Sequence, residues 1–328
     1  MQKRLSLFLV IILVFTLLTG CFSLPTSTNT VNYYVDGQLY ETRTVFSGSC
    51  TQSIPAPKIE NQIFVGWFLD PEYTVEFDFS NKILIDINLY AYYTIDAIET
   101  TELMTNKVMK SVVTIESKSY NTGFGGIVET NSITAQGSGV VIDVSGGYCY
   151  VLTNAHVVAK ETGYSDQSII VEDAWGNQFS AMIYQNPNSP DRAIDHSYDL
   201  ALLCFKYNPQ SAGESEVLAE IELATDPLAK SYVVSLGSPL GQKNAITYGS
   251  VYGYTKLNQS DAENSANVDF EIIVHSAVIN HGSSGGPLLN TSGKLVGLNF
   301  AGRESDGTGC AIPLSKIKEF LNIYVYLK

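Results

Sequence analysis

Three short segments, far apart in the chain, place a histidine, an aspartate and a serine in surroundings typical of nucleophilic catalysis. His156 lies in TNAHVV, Asp199 directly precedes the apolar run LALL, and Ser284 lies in HGSSGGPL. A serine hydroxyl becomes a good nucleophile when an imidazole accepts its proton, and a buried carboxylate keeps that imidazole in the right tautomer. We therefore predict that Ser284 is the nucleophile, His156 the general base and Asp199 the residue that orients the base.

The glycines around the serine have a separate role. The backbone must turn sharply there to aim two N–H groups at a developing oxyanion, and a Cβ would obstruct that turn. We assign these two donors to the amides of Gly282 and Ser284. A Gly-Ser stretch alone is equally compatible with a flexible turn, so this assignment depends on the presence of His156 and Asp199.

Residue order decides between alternative catalytic sites. The motif GSSGG also fits the G-x-S-x-G turn of α/β-hydrolases, in which the acid and the histidine follow the serine. No histidine follows Ser284, and the order His, Asp, Ser is that of chymotrypsin-like proteases, so we exclude a lipase or esterase. Asp191 and Asp195 are alternatives to Asp199, but only Asp199 directly precedes an apolar run.

The elements that must position these residues are mostly strands. From Val112 onward, β-branched and aromatic runs alternate with Gly, Asn and Asp turns, which predicts an all-β domain of barrels or a sandwich. The end of the chain, residues 315–326, has apolar residues at helical spacing and predicts one packed C-terminal helix. The predicted strands are residues 112–116, 139–143, 148–154, 168–172, 179–184, 200–205, 232–236, 245–252, 270–274 and 294–299.

Several further segments resemble the HtrA type of trypsin-like serine protease from the bacterial envelope. They are GSGVVI at 137–142, LGSPLG at 236–241, TYGSV at 247–251 and AIP at 311–313. The resemblance covers residues from about 104 to 328, which include the predicted protease domain, residues 111–328. It implies a double β-barrel with the triad in the cleft between the barrels. It also implies a serine endopeptidase that hydrolyses peptide bonds of envelope or extracellular proteins through an acyl-enzyme. No PDZ domain is predicted to accompany it.

The same resemblance suggests where a substrate side chain would bind. It places Val278 at the base of the primary specificity pocket and Leu298, Asn299 and Phe300 along its wall. None of these four residues carries a carboxylate that would attract lysine or arginine. An apolar residue before the cleaved bond is therefore predicted.

Residues 31–94 predict a separate small β module, because aromatic and β-branched residues alternate there with polar ones. The segments FVGWF at 64–68 and LYA at 89–91 resemble the internalin-type B repeat of bacterial surface proteins, a β-grasp-like fold. A single copy favours a spacer or docking module, with a possible surface partner, over an adhesive array. Residues 95–110 carry helix formers without a clear apolar face and are predicted to be a linker.

The first 21 residues have the pattern of a bacterial export signal. A Lys-Arg pair precedes an apolar stretch, residues 5–18, that is shorter than the roughly 20 residues of a membrane-spanning helix. The stretch ends in LTGC, which resembles the lipobox of bacterial lipoproteins, so lipid attachment at Cys21 on the extracytoplasmic face of the cell membrane is predicted. The alternatives are an ordinary cleaved signal and an uncleaved anchor. Residues 22–30 are predicted to be a tether.

Composition narrows the partners and cofactors. The net charge of −14, with no basic run beyond that first pair, argues against nucleic-acid binding. An oxidising compartment permits disulfides, but the cysteines besides Cys21 have no metal or redox spacing. They are Cys50, Cys149, Cys204 and Cys310. Since His196 and His275 are not spaced for a metal either, no metal or cofactor is predicted.

A second interpretation is a catalytically silent protease-fold module that binds partners at the cell surface through the B repeat and an acidic face. The complete set of His156, Asp199, Ser284 and surrounding glycines favours the protease, because a scaffold has no physical need for all of them. The expected partners are accordingly protein or peptide substrates.

Overall fold

The chain folds as two units, divided between Thr94 and Ile95. The predicted signal and Cys21 lie outside the described residues. Within the described part, no helix is both long and apolar enough to cross a membrane. The computed structural model describes residues 27–123, 128–187, 191–211, 216–237, 245–256, 268–303 and 308–324.

The N-terminal unit is a four-stranded mixed sheet with the order β2-β1-β4-β3. Strand β1 is antiparallel to β2 and parallel to β4. Its core centres on Trp67, whose indole N–H donates to the Ile54 carbonyl at 3.0 Å and whose ring meets Tyr33 edge-on. Because β1 begins at Thr28, the last three residues of the predicted tether belong to this sheet. The strands are β1 (Thr28–Val35), β2 (Gln38–Phe46), β3 (Gln62–Phe68) and β4 (Ile87–Ile95).

The second unit begins with a helix rather than a bare linker. Asp96 caps helix α1 (Ala97–Asn106) by accepting a hydrogen bond from the Glu99 amide at 3.0 Å. Met104 of this helix and Val108 of the following 3₁₀ turn are buried in the core of the second unit. The predicted linker is therefore a structural part of the second unit, which its weak amphipathic pattern did not indicate.

The first barrel contains six antiparallel strands in the order β11-β7-β6-β5-β8-β9, and pairing of β11 with β9 closes it. The two-residue strand β10 pairs with β11 at its edge. One-turn helix α2 (Ala155–Val158) follows β7. The strands are β5 (Val112–Gly123), β6 (Val128–Ser145), β7 (Tyr148–Thr153), β8 (Asp166–Glu172), β9 (Gln178–Ile183), β10 (Ile194–Asp195) and β11 (Leu200–Lys206).

The second barrel is also closed, with the strand order β12-β13-β14-β17-β16-β15. Helix α3 (Leu314–Tyr324) follows β17 and buries Ile317 and Phe320 in a core cluster that includes strands of both barrels. The strands are β12 (Tyr232–Gly237), β13 (Ala245–Lys256), β14 (Glu271–His275), β15 (Pro287–Leu289), β16 (Leu295–Arg303) and β17 (Thr308–Pro313).

This architecture confirms the predicted fold class: mostly β, with two barrels, a C-terminal helix and a small N-terminal β unit. Each predicted strand of the protease domain coincides with an observed strand. Strands β10, β15 and β17 were not predicted, because each is short and has no period long enough to detect. Cys149, Cys204 and Cys310 are buried free thiols, whereas the free thiol of Cys50 is exposed.

Candidate active site

His156 is held at the surface of the first barrel by the short helix α2. Its neighbours Ala155, Val157 and Val158 are buried, whereas the side chain of His156 is 33% exposed. These three buried apolar side chains stabilise the backbone of α2, because each would become exposed if the helix unwound. The imidazole is therefore held in place but remains open to solvent on one side.

Asp199, directly before β11, receives both hydrogen bonds that can orient this histidine. Its Oδ2 is 2.8 Å from His156 Nδ1, and its Oδ1 accepts the His156 backbone N–H at 3.0 Å. The carboxylate is almost completely buried. Because an ionised carboxylate can only accept, Nδ1 must carry the proton, and the lone pair of the neutral ring then lies on Nε2. That tautomer is the one a general base requires.

The backbone of Asp199 is unusual for a residue other than glycine. Its φ is +52°, a left-handed conformation that aspartate tolerates better than most residues. Its carbonyl accepts from the Asn154 side-chain amide at 2.9 Å and from the Ala155 N–H at 3.2 Å. Asn154 and Ala155 thus fix the backbone of Asp199, and the Asp199 carboxylate fixes the His156 ring.

The Ser284 loop docks onto the first barrel beside α2. The Ser138 N–H donates to the Ser284 carbonyl at 2.8 Å, and the Ser138 hydroxyl donates to the Gly282 carbonyl at 2.7 Å. A Cβ on Gly137 would lie 2.7 Å from Val157 and 2.9 Å from the Ser284 carbonyl oxygen. Glycine at this position therefore lets the nucleophile loop approach the residue after His156.

The hydroxyl of Ser284 points toward β16 in this structure. It donates to the Phe300 carbonyl at 3.3 Å, and within the described residues no hydrogen bond joins it to His156. The backbone of the loop is held beside α2 by Ser138, and the Ser284 hydroxyl would have to turn from Phe300 to reach the imidazole.

Backbone amides of the loop divide into two groups. Those of Ser283, Gly285 and Gly286 donate to carbonyl oxygens at 2.8–2.9 Å. Those of Gly282 and Ser284 donate to no group in the described part of the chain. These two are the amides predicted as oxyanion donors, and both belong to a loop in which Gly282 and Gly285 have φ of +94° and +81°. The loop therefore offers two free N–H groups next to Ser284 Oγ.

Ser138 is a residue of this site that the triad analysis did not single out. Besides its two bonds to the Ser284 loop, its carbonyl accepts from the buried Thr153 hydroxyl at 2.7 Å. The only signal for it in the sequence is the GSGVVI segment, which carried the family resemblance without a stated role.

The assignment of Leu298, Asn299 and Phe300 to the wall of the specificity pocket stays a prediction. Their side chains are at most 2% exposed, so a wall at this position would be formed by their main chain. Leu298 and Phe300 belong to a core cluster that includes residues of both barrels, whereas the Asn299 side chain bonds to Ser235. What β16 presents to Ser284 is the main-chain carbonyl of Phe300. Val278, by contrast, is 58% exposed, so its assignment to the pocket stays a prediction.

Asp191 and Asp195, the alternatives to Asp199, are not bonded to His156. Asp195 accepts hydrogen bonds from Ser197 and from the Tyr324 hydroxyl. Partial burial acts to raise the pKa of Asp195, but these hydrogen bonds outweigh it and hold the pKa below its usual value. Asp191 and His196 are exposed. The described residues contain no cluster of histidine, cysteine and carboxylate side chains that could hold a metal.

Comparison with known proteins finds two matching families in this chain. Residues 137–298 match the family described as a trypsin-like peptidase domain, and residues 30–92 match the Listeria-Bacteroides repeat domain. The second match lies at the position of the predicted internalin-type B repeat, residues 31–94.

The protease unit also has curated relatives of the HtrA type. It is 33% identical to serine protease HTRA4 of Mus musculus over 58% of this chain and 35% of the mouse protein. It is 34% identical to periplasmic serine endoprotease DegP of Escherichia coli over 60% of this chain and 37% of DegP. The chain thus spans little more than a third of these relatives. The matched family and these relatives are serine peptidases, to which this chain is similar.

One solved structure shows the same fold. HtrA-type protease AlgW, determined with a decapeptide, superposes with a TM-score of 0.51 at 22% identity, covering 68% of this chain and 67% of AlgW. At that identity the likeness establishes the double-barrel fold of the second unit and nothing about its substrates.

Proposed function

We propose that this protein is a serine endopeptidase of the bacterial envelope or cell surface that cleaves proteins or peptides through an acyl-enzyme. The observation that carries the proposal is the buried Asp199 carboxylate bonded to His156 Nδ1 at 2.8 Å, with the Ser284 loop docked beside the same helix. The matched peptidase domain and the HtrA relatives support the same activity.

The chemistry follows from the placement of these groups. After Ser284 turns from the Phe300 carbonyl toward His156, Nε2 accepts the hydroxyl proton as Oγ attacks the substrate carbonyl carbon. The negative oxygen that forms is stabilised by the free amides of Gly282 and Ser284. His156 then donates the proton to the leaving amine as the C–N bond breaks. Water, activated in the same way, hydrolyses the acyl-enzyme and restores Ser284.

Covalent labelling with a fluorophosphonate probe tests this activity. We expect the wild-type chain, residues 22–328, to be labelled and to digest casein at neutral pH, and the Ser284→Ala variant to do neither, because it lacks the hydroxyl that forms the covalent bond. Labelling that persists in Ser284→Ala would place the reactive group elsewhere. A folded wild type that neither labels nor cleaves would instead favour the silent binding module.

We also propose that the protein is attached to the cell membrane. The export pattern and the LTGC sequence support a lipid anchor at Cys21, which would hold the protease on the extracytoplasmic face of the membrane. We expect the protein to fractionate with membranes and to incorporate labelled palmitate, and Cys21→Ser to abolish both. Unacylated wild-type protein released freely into the medium would contradict the anchor.

A further inference from the structure

A second histidine, far from α2 in sequence, lies completely buried beneath the nucleophile loop. His275 ends strand β14 and pairs with Val251 of β13 and Gly309 of β17. Its ring lies against Gly309, where a Cβ would be only 2.2 Å from His275 Cε1. The barrel wall therefore accommodates an imidazole at this position only because the facing residue is glycine.

The hydrogen bonds of Asn299 define the orientation of this imidazole. The Asn299 side-chain nitrogen donates to the carbonyl oxygens of Gly286 and Pro287, at 3.2 and 3.3 Å, and to the Ser235 hydroxyl at 2.9 Å. Since carbonyl oxygens only accept, the amide orientation is determined and Oδ1 must face His275 Nε2, 3.1 Å away. His275 therefore carries its proton on Nε2 and donates it to Asn299.

Asn299 in turn holds both glycines that follow the nucleophile. Its carbonyl accepts the Gly285 N–H at 2.8 Å, and its N–H donates to the Gly286 carbonyl at 2.9 Å. With the side-chain bond to Gly286, three hydrogen bonds join Asn299 to the turn directly after Ser284. A continuous buried path thus runs from the His275 ring through Asn299 to the backbone that aims the Ser284 amide.

We propose that His275 is a positioning residue, whose neutral imidazole orients Asn299 and thereby fixes the loop that presents Ser284 and its oxyanion donors. This inference rests on the proposed protease activity and adds a residue that acts on the reaction without touching the substrate. Neutrality is consistent with the burial of the ring, which lowers the pKa of His275 to about 4 against the opposing effect of its bond to Asn299.

The experiment compares His275→Leu with His275→Gln in the full chain. Leucine removes the donor to Asn299, whereas the glutamine amide can restore an N–H near the position of Nε2. We expect leucine to slow fluorophosphonate labelling, and to lower kcat on an internally quenched casein peptide, by about tenfold or more, because a misaligned oxyanion donor weakens transition-state binding. KM should change little, and glutamine should recover most of the loss.

Ser276→Ala is the matched control. Ser276 is the next residue, and its hydroxyl accepts the Ser250 N–H at 2.9 Å, so the substitution removes a neighbouring hydrogen bond that is not part of the Asn299 path. Labelling rates are taken per folded molecule, with the folded fraction measured by thermal unfolding. A purely structural role for His275 would lower the unfolding temperature of His275→Leu and leave this rate unchanged.

The outcomes separate the two proposals. A wild type that does not label counts against the protease itself. A labelling wild type together with an equally reactive folded His275→Leu variant overturns only the role of His275. If His275→Leu does not fold, Ser235→Ala removes an acceptor of Asn299 on the far side of the path, and a wild-type labelling rate in that variant likewise overturns the inference.

Discussion

At the scale of single residues, the catalytic geometry depends most on Asp199. Both of its carboxylate oxygens accept from His156, and its carbonyl accepts from the two residues before that histidine. These contacts offset the roughly 1–2 kcal/mol that a left-handed conformation costs a residue with a Cβ. Residues 154–156 therefore stabilise the left-handed backbone of Asp199, and the Asp199 side chain in turn orients His156.

Replacement of Asp199 by asparagine tests this dual contact. The amide nitrogen would face one of two N–H donors, so the ring would favour the tautomer with its proton on Nε2. We expect kcat to fall by about 10³- to 10⁴-fold with the fold retained. Asp195→Asn is the control, because Asp195 bonds to Ser197 and Tyr324 and not to a histidine. Full peptidase activity in Asp199→Asn would refute the assignment.

At the scale of elements, the site is a junction between two barrels. The loop before β15 belongs to the second barrel, but Ser138 of β6, in the first barrel, holds it through two hydrogen bonds. Thr153 of β7 supports this contact by donating to the Ser138 carbonyl. Gly285 lies close to both of these residues. A Cβ there would lie 2.1 Å from the Ser138 carbonyl oxygen and 2.2 Å from Thr153 Oγ1.

Gly285→Ala is therefore expected to disturb the docking of the loop as well as its backbone conformation. We predict slower fluorophosphonate labelling and a lower free energy of unfolding in urea. Gly146→Ala is the matched control, since Gly146 also has a positive φ, +59°, but no atom within 4 Å of the added Cβ. The control should lose only about 1–2 kcal/mol. Equal losses in both variants would mean that docking contributes nothing at Gly285.

At the scale of the complete chain, the apolar core of the first unit shares no buried residue with the three core clusters of the second unit in the described part of the chain. The core of the first unit centres on Trp67, which packs edge-on against Tyr33 and Phe64. The residues of the candidate active site all lie in the second unit. Each unit contains one of the two tryptophans, Trp67 in the first and Trp175 in the second.

Trp67→Ala should therefore unfold one unit selectively. Removing a buried tryptophan costs about 3–5 kcal/mol, which is a large part of the stability of a small unit. We expect the transition of the first unit to move to lower urea concentration, while Trp175 fluorescence and the labelling rate of Ser284 stay at their wild-type values. A parallel loss of labelling would show that the protease unit depends on the first one.

Much of this protein follows from local sequence. Strand positions in both barrels and the C-terminal helix could be predicted, because alternation and helical spacing are properties of neighbouring residues. The pairing of His156 with Asp199 was also predictable, since residue order and an apolar run beside the carboxylate are visible in the chain. The segment after Thr94 was harder, because its helix is stabilised by the burial of Met104 rather than by a continuous apolar face.

The fold class, the candidate triad and the glycine loop could be predicted from the sequence, because each depends on residue type, order and short spacing. Three features became visible only in the folded chain: Ser284 points to Phe300, the side chains of residues 298–300 are buried, and His275 bonds to Asn299. These features join residues from strands that meet only when the second barrel closes and the first barrel supports its loop. Such contacts depend on packing between distant segments, which no local pattern encodes.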